Sequence, residues 1–245
     1  ADLENLLNES ALLAARAKAK KIKQEHLAEA VERVAMGPQR RSLMISQKEK
    51  ETVAWHESGH AIVSYILGST VHKITIIPRA EALGYVWNTD SEDEKDKALK
   101  TKKELMNEMA ICLAGRAAEK ITFNEITNGA SSDIKRVTSI ARSMVRNWGM
   151  SDKIGPVDYE YDQEPFLGRG LSMQTNHSDA MEEEIDRQVL SLVTDSQNHA
   201  EDLLQEHKDA LDGLANILLE KESIDREDFE KLMKGLSVER IKKND

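Results

Sequence analysis

The sequence predicts a mainly α fold that contains one small β-ribbon. Helix breakers are scarce, because the 245 residues include only 4 Pro and 12 Gly, whereas average usage gives about 12 Pro and about 17 Gly. Apolar residues recur at every third or fourth position through most of the chain, which is the period of an amphipathic helix. One run, Val71–Ile77, is instead rich in β-branched residues and predicts a strand.

The composition also excludes several classes of function. One cysteine cannot build a disulfide framework or a zinc site made of thiolates alone, and it indicates a reducing compartment. The 44 acidic and 34 basic residues give a net charge of −10, which argues against a nucleic-acid partner. No apolar run approaches the roughly 18 residues of a membrane helix, and no signal peptide is evident. Because Ala1 already stands inside a helical pattern, we expect a piece of a longer protein.

Residues 1–36 predict a helical unit of their own. Apolar residues at helical spacing predict one helix over 1–20 and a second over 24–36. The second helix ends at Gly37-Pro38, a strong breaker pair. The basic, turn-rich segment 37–46 is therefore predicted to link this unit to the rest of the chain.

The following segment predicts a long helix and then the ribbon. Ser46 and Glu49 have the spacing of a capping box, and the helix that they open is expected to run to about Leu67. Residues 84–89 are predicted to pair with the β-branched strand. The nearly all-charged stretch 90–100 predicts a solvated loop.

The remainder of the chain predicts helices separated by irregular segments. A second capping box at 101–104 opens a helix that is expected to reach about Lys120. The small, polar loop 128–133 leads into another helix, and the turn-rich stretch 149–177 is predicted to be irregular. From Ser178 onward the pattern is helical again, in at least two long pieces and a short last one.

A metal-binding motif lies inside the first long helix. The sequence HESGH at 56–60 matches His-Glu-x-x-His. Residues four apart leave the same face of a helix, so His56 and His60 can bind one Zn²⁺. Glu57, one step round the helix, is placed to take a proton from a metal-activated water that attacks a carbonyl carbon, and then to give a proton to the leaving amine. Two surface histidines are the alternative, but the flanking residues are apolar, which argues against it.

The residues alone leave the third metal ligand open. Two histidines and a water leave one position of a tetrahedral zinc to be filled. A glutamate on the following helix would be Glu104, Glu108 or Glu119. An aspartate would be Asp133, which stands at the start of a predicted helix behind a flexible turn. That residue could instead stabilise the helix dipole from the first turn, and spacing does not separate these interpretations.

Several stretches, in this order and spacing, resemble the protease domain of the FtsH family, the membrane-anchored, ATP-dependent AAA+ zinc proteases. The stretches lie between residues 54 and 236 and read AWHESGHAIV, VHKITIIPR with ALGY behind it, AGRAAE, NGASSDIKR, MVRNWGMSDKIGP, PFLGR and EIDRQV. The resemblance implies a helical zincin-like protease domain with a small β-ribbon over 47–245. It also implies that 1–36 are the last helices of the AAA+ lid, joined to the protease domain by the linker 37–46.

The resemblance further implies the site residues. Zn²⁺ would be held by His56, His60 and Asp133, with Glu57 as the catalytic base. Glu119 remains the rival third ligand, or an orienting partner of a ligand imidazole. Ser58 replaces the usual Ala of the family motif, and no Gly-x-x-x-x-Gly-Lys-Ser/Thr phosphate loop is present, so ATP and Mg²⁺ are expected only in an ATPase domain outside this chain.

The function implied by the resemblance is that of a zinc-dependent endopeptidase domain in an ATP-dependent, processive protease. Its substrates would be unfolded, membrane and short-lived regulatory proteins, and its assembly a homohexamer. The full protein would lie in the bacterial inner membrane or an organelle membrane through a missing N-terminal region, with this domain soluble on the cytoplasmic, matrix or stromal side. An extended substrate would add to a ribbon edge, at 74–77 or 84–87. The alternatives are a catalytically silent, ring-forming assembly module and a zinc hydrolase that acts on something other than peptides.

Overall fold

Eight α-helices and a small antiparallel sheet make up the part of the chain that the computed structural model describes. The described residues are 2–40, 42–80, 82–89, 97, 99–159, 177–236 and 238–241. The elements are α1 Asp2–Arg16, α2 Gln24–Met36, α3 Gln47–Ile66, β1 Thr70–Thr75, β2 Tyr85–Thr89, α4 Lys102–Phe123, α5 Ser131–Arg146, α6 Asp179–Glu206, α7 Lys208–Lys221, β3 Ser223–Asp225 and α8 Arg226–Gly235. This arrangement confirms the predicted mainly α fold class. Most of the predicted charged loop at 90–100, and residues 160–176 with the PFLGR stretch, lie outside the described residues.

The N-terminal helices pack against each other. Ala14 of α1 and Ala30 of α2 are both buried. The first helix ends at Arg16 rather than near residue 20 as its periodicity predicted. The reason is local: Lys18 adopts a left-handed φ of 53°, and the Ala19 N–H donates to the Ala14 carbonyl at 2.9 Å, which closes the helix.

The two helices that carry the central motifs begin at the predicted capping boxes. At the start of α3, the Ser46 hydroxyl accepts a hydrogen bond from the Glu49 N–H, and the Glu49 carboxylate accepts one from the Ser46 N–H. Thr101 and Glu104 form the same reciprocal pair at the start of α4. Because each box satisfies backbone donors that a helix leaves unpaired, these two helix starts could be predicted from the sequence.

The sheet has the strand order β2-β1-β3, so β1 is its central strand. The predicted ribbon pairs Ile74 of β1 with Val86 of β2. On the other side, Ile74 faces Ile224 of β3, a strand that periodicity did not predict. The stretch 74–77 is therefore not a free edge of the sheet. Of the two edges proposed to bind substrate, the one that overlaps β2 is the one without a second neighbouring strand among the described residues.

The main hydrophobic core lies between α3, α4, α6, α7 and the sheet. Its fully buried members include Ile62, Ala114, Leu204, Leu211 and Ile74. A second cluster joins α4, α5 and α6. Together the two clusters hold α3, α4 and α5 side by side, and these are the three helices that bear the predicted site. No helix within the described ranges is long and apolar enough to cross a membrane.

Candidate metal centre

Two imidazoles on α3 converge on one point. His56 and His60 are four residues apart on this helix, and their side chains are 12% and 13% exposed. Their Nε2 atoms are 3.1 Å apart, and the ring centroids are separated by 4.7 Å at an interplanar angle of 74°. The helical spacing predicted this common face, and the structure brings the two rings together there.

The outer nitrogen of each ring is held by a hydrogen-bond acceptor. The Nδ1–H of His60 donates to the Ile111 carbonyl at 2.7 Å, and that of His56 donates to Glu119 Oε1 at 2.7 Å. Because a carbonyl or carboxylate oxygen can only accept, the proton of each neutral ring lies on Nδ1. In this neutral form both Nε2 atoms direct a lone pair toward the same point, which is the tautomer that a metal ligand needs.

Asp133 completes a group of three. It lies in the first turn of α5, and its Oδ2 is 3.7 Å from Nε2 of both His56 and His60. The three ligand atoms all lie within 4.8 Å of one another. Ligands at 2.0–2.1 Å around a tetrahedral zinc are about 3.3 Å apart, so this donor set and its spacing fit a zinc ion.

The other acids considered as a third ligand are occupied elsewhere. Glu104 belongs to the capping box of α4, and Glu108 accepts hydrogen bonds from Lys100 and Arg136, both at 2.7 Å. Glu119 is close to the site but does not join the group of three found among the described residues. Of the four acids, Asp133 alone presents an oxygen to the shared point.

Glu119 instead links two parts of the site. It is 1% exposed and accepts from His56 through Oε1, while its Oε2 accepts from the Thr127 N–H at 2.7 Å. Thr127 caps the 3₁₀ turn Asn128–Ala130, which leads directly into α5 and Asp133. One buried carboxylate thus orients an imidazole and anchors the loop that delivers the third acid.

Glu57 lies beside this group and is largely buried. The residue is 7% exposed, and burial raises the pKa of its carboxyl to about 7, although the nearby His56 acts in the opposite direction. Gly84, just before β2, covers it: a Cβ at residue 84 would lie 2.8 Å from Oε1 of Glu57. The absence of a side chain there allows the strand to approach the carboxylate.

The electrostatics of the centre favour a positive charge. Burial opposes the protonation of His56, but the neighbouring carboxylates of Asp133 and Glu119 outweigh it and raise its pKa to about 10. Burial, and then the charge on His56, lower the pKa of His60. The carboxyl groups of Asp133, Glu119 and Glu57 all favour positive charge on His56. Such a cluster of acidic groups around two imidazoles is expected where a divalent cation binds.

Two glycines that the sequence did not single out make the arrangement possible. A Cβ on Gly115 of α4 would lie 2.5 Å from Nε2 of both His56 and His60. A Cβ on Gly59 of α3 would lie 2.5 Å from the Ala114 carbonyl oxygen. The glycines therefore let α3 and α4 approach closely and leave room for the rings. The stretch AGRAAE contains Gly115, but a glycine in a predicted helix does not show which residues of another helix will pack against it.

The centre opens onto a cleft of about 1900 Å³. It is lined by the two histidines, Glu57 and Asp133, and by Gly84–Val86 at the start of β2. Its lining also includes residues of α4, among them Asn107. Both the start of β2 and the helices that bear the site therefore contribute to this cleft.

Comparison with known proteins places this chain in a family. The model of Peptidase family M41 matches residues 43–232. ATP-dependent zinc metalloprotease FtsH 1 of Thermoanaerobacter sp. (strain X514) is 45% identical over 244 residues, which is 98% of this chain and 39% of that protein. The FtsH proteins of Pseudothermotoga lettingae and Caldicellulosiruptor bescii are 48% and 46% identical, over 96% and 95% of this chain and 38% of each relative. This chain thus spans about two-fifths of the length of these relatives. It belongs to Peptidase family M41, as its resemblance to FtsH proteins predicted.

Proposed function

We propose that this chain is a zinc-dependent endopeptidase domain. The observation that carries the proposal is the convergence of two Nε2 lone pairs and an Asp133 oxygen on one point, with the buried carboxylate of Glu57 beside it. The relatives are named as zinc metalloproteases, which supports the same metal and reaction. His56, His60 and Asp133 would hold the ion, and Glu119 would keep the His56 ring in place.

In this proposal Glu57 moves the proton. A bound Zn²⁺ supplies Lewis acidity to the substrate carbonyl and lowers the pKa of water. The Glu57 carboxylate takes the proton of the water whose oxygen forms the new bond to the scissile carbon. When the carbon–nitrogen bond breaks, the same carboxyl gives that proton to the departing amine, so the base is regenerated.

Substrate binding is proposed to use the free side of β2. Among the described residues β2 pairs with β1 alone, and its first residues line the cleft next to Glu57. An extended peptide could add as a further strand and place one of its amides over the centre. Recognition would then depend on the backbone of the substrate, which suits broad sequence tolerance.

The whole protein is proposed to degrade unfolded, membrane and short-lived regulatory proteins as a homohexamer. ATP and Mg²⁺ would bind in an ATPase domain outside this chain, with residues 1–36 as the end of its lid. A membrane anchor would likewise lie outside this chain. The names of the relatives support the ATP dependence. Native mass spectrometry of the full-length protein would show six copies, whereas a monomer at all concentrations would contradict the assembly.

Substitution of Glu57 by Gln tests the proposed reaction. Gln has nearly the same shape but cannot accept the proton, so we expect Zn²⁺ content to stay at one per chain while cleavage of unfolded casein falls at least a thousandfold. Metal analysis and a fluorescent casein assay measure the two quantities. Undiminished cleavage would exclude Glu57 as the base. Zinc binding without cleavage by the unmodified chain would instead favour the silent assembly module.

A further inference from the structure

A buried guanidinium lies at the junction between the N-terminal helices and the sheet. Arg79 follows β1 in the turn toward β2, and it is only 2% exposed. Burying a full charge is costly unless the charge is paired and hydrogen-bonded. Its partners therefore identify the segments that must stay together for Arg79 to remain where it is.

The partners of Arg79 come from α2 and the residue that follows it. Its two terminal nitrogens bind both oxygens of Glu29, at 3.1 Å and 2.7 Å. One of them also donates to Glu32 Oε2 at 2.7 Å, and the other to the Gly37 carbonyl at 3.2 Å. This paired, fork-like contact is specific to a guanidinium, because an ammonium group cannot reproduce its geometry.

Glu32 extends the cluster to both strands of the ribbon. It is 5% exposed and accepts from Lys73 of β1 and from the Tyr85 hydroxyl of β2, both at 2.6 Å. Burial alone would raise the pKa of Glu32, but the hydrogen bonds from Lys73 and Tyr85 outweigh it and hold the pKa below its ordinary value. Glu32 is therefore ionised, and it ties α2 to β1, to β2 and to the turn between them.

The backbone of the same turn is held from two sides. Within the turn, the Arg79 and Ala82 backbones exchange hydrogen bonds of 3.0 Å and 2.8 Å. The segment after α2 adds two more, from the Arg40 N–H to the Pro78 carbonyl at 2.7 Å and from the Ala80 N–H to the Pro38 carbonyl at 3.3 Å. The predicted linker 37–46 thus packs on the turn instead of standing free.

The turn leads straight to the wall of the metal centre. Gly84 lies five residues after Arg79 and two after the end of the hydrogen-bonded turn. Its backbone approaches so closely that a Cβ would meet Glu57 Cγ and Oε1 and the Thr75 carbonyl oxygen at 2.8 Å. A shift of the turn by about an ångström would therefore change what covers Glu57, and catalytic groups are sensitive to displacements of that size.

We propose that Arg79 is a positioning residue for the active site: by holding Glu29 and Glu32 of α2, it fixes the turn after β1 and keeps Gly84 against Glu57. Because its effect is on hydrolysis by Glu57, this role rests on the proposed function. The placement of α2 then acts on the reaction, although α2 contributes no residue to the cleft lining.

An Arg79→Lys substitution in the full 245-residue chain tests the role. Lysine keeps the charge and loses the fork, so we expect kcat for an unstructured fluorogenic peptide to fall about tenfold. KM should change less than twofold and zinc content should stay at one per chain. Hydrogen exchange at the Ala82 amide, which bonds to the Arg79 carbonyl, should accelerate at least tenfold.

Arg146→Lys is the matched control. Arg146 is also largely buried and donates to Glu182 and to the Tyr159 carbonyl. It ends α5, thirteen residues after Asp133 and thus about 20 Å along the helix. We expect kcat and Ala82 exchange of this variant to equal those of the unmodified chain, even if its melting temperature falls as far as that of Arg79→Lys.

Tyr85→Phe keeps the test decisive if Arg79→Lys does not fold. It removes the hydroxyl that donates to Glu32 and should lower kcat two- to fivefold with zinc retained. Unchanged kcat, or unchanged Ala82 exchange, in whichever of Arg79→Lys and Tyr85→Phe folds would overturn the positioning role and leave the proposed function standing. An unmodified chain that binds zinc and cleaves no peptide would overturn both.

Discussion

Gly115 faces the metal-directed atoms of both imidazoles, so an alanine at this position tests the geometry of the centre. Its Cβ would lie 2.5 Å from Nε2 of His56 and of His60, whereas ordinary contacts begin at about 3.4 Å. Each ring must therefore move by about 0.9 Å. Both rings are fixed at Nδ1, by Glu119 and by the Ile111 carbonyl, so they cannot move without breaking those bonds.

The expected consequence of Gly115→Ala is a loss of metal affinity. Zinc ligand distances tolerate deviations of about 0.2 Å, much less than the required shift, and disturbing the partners that orient ligand rings costs about 10- to 100-fold in affinity. We therefore expect the zinc dissociation constant to rise at least 10-fold, measured by competition with a chromogenic chelator. Far-UV circular dichroism should show no loss of helix, because Ala favours a helix over Gly by about 1 kcal/mol.

Gly213→Ala provides the matched control for that experiment. Gly213 is also within a helix, α7, but a Cβ there would meet only the two methyl carbons of Leu236, at 3.7 Å, which is an ordinary contact. Zinc affinity should be unchanged in this variant. Unchanged affinity in Gly115→Ala as well would refute the reasoning, since it would mean that the imidazoles do not hold the metal in the orientation described.

Two further predictions concern buried polar groups near the centre. Glu119→Gln should raise the zinc dissociation constant 10- to 100-fold, because the amide is a weaker acceptor for the His56 Nδ1–H; unchanged affinity in chelator competition would exclude the orienting role. Ser58 is fully buried and its hydroxyl has no partner among the described residues. Ser58→Ala should therefore stabilise the chain by about 1 kcal/mol, seen as a melting temperature higher by about 2–4 °C; a lower melting temperature would show that the hydroxyl has a stabilising partner.

Most of the correct sequence-based predictions came from short local patterns in the sequence. The capping boxes at Ser46 and Thr101 gave the starts of α3 and α4 correctly, because a cap is satisfied within one turn of chain. The convergence of His56 and His60 also follows from local geometry, since a helix fixes the relation between residues four apart. The residues named Asp133 as one of several candidates, and only family resemblance selected it, because its approach depends on how α5 packs.

The features that the sequence did not predict are tertiary. The strand β3 has three residues and follows Glu222, which adopts a left-handed φ of 60°, so no alternating pattern could develop. In the sequence, Gly115 is an ordinary glycine of a predicted helix, and its contact with the two histidines of α3 is visible only in the fold. Similarly, Glu29 and Glu32 look like the solvated face of an amphipathic helix, and only the fold brings Arg79 to them.

The most direct test of the account is a crystal structure of the zinc-loaded chain with anomalous diffraction at the zinc edge. The account predicts one peak per chain, at about 2.0–2.1 Å from Nε2 of His56 and His60 and about 2.0–2.2 Å from an oxygen of Asp133, with Glu119 still bonded to the outer nitrogen of His56. A peak coordinated by Glu119 in place of Asp133, or one located away from these histidines, would contradict it.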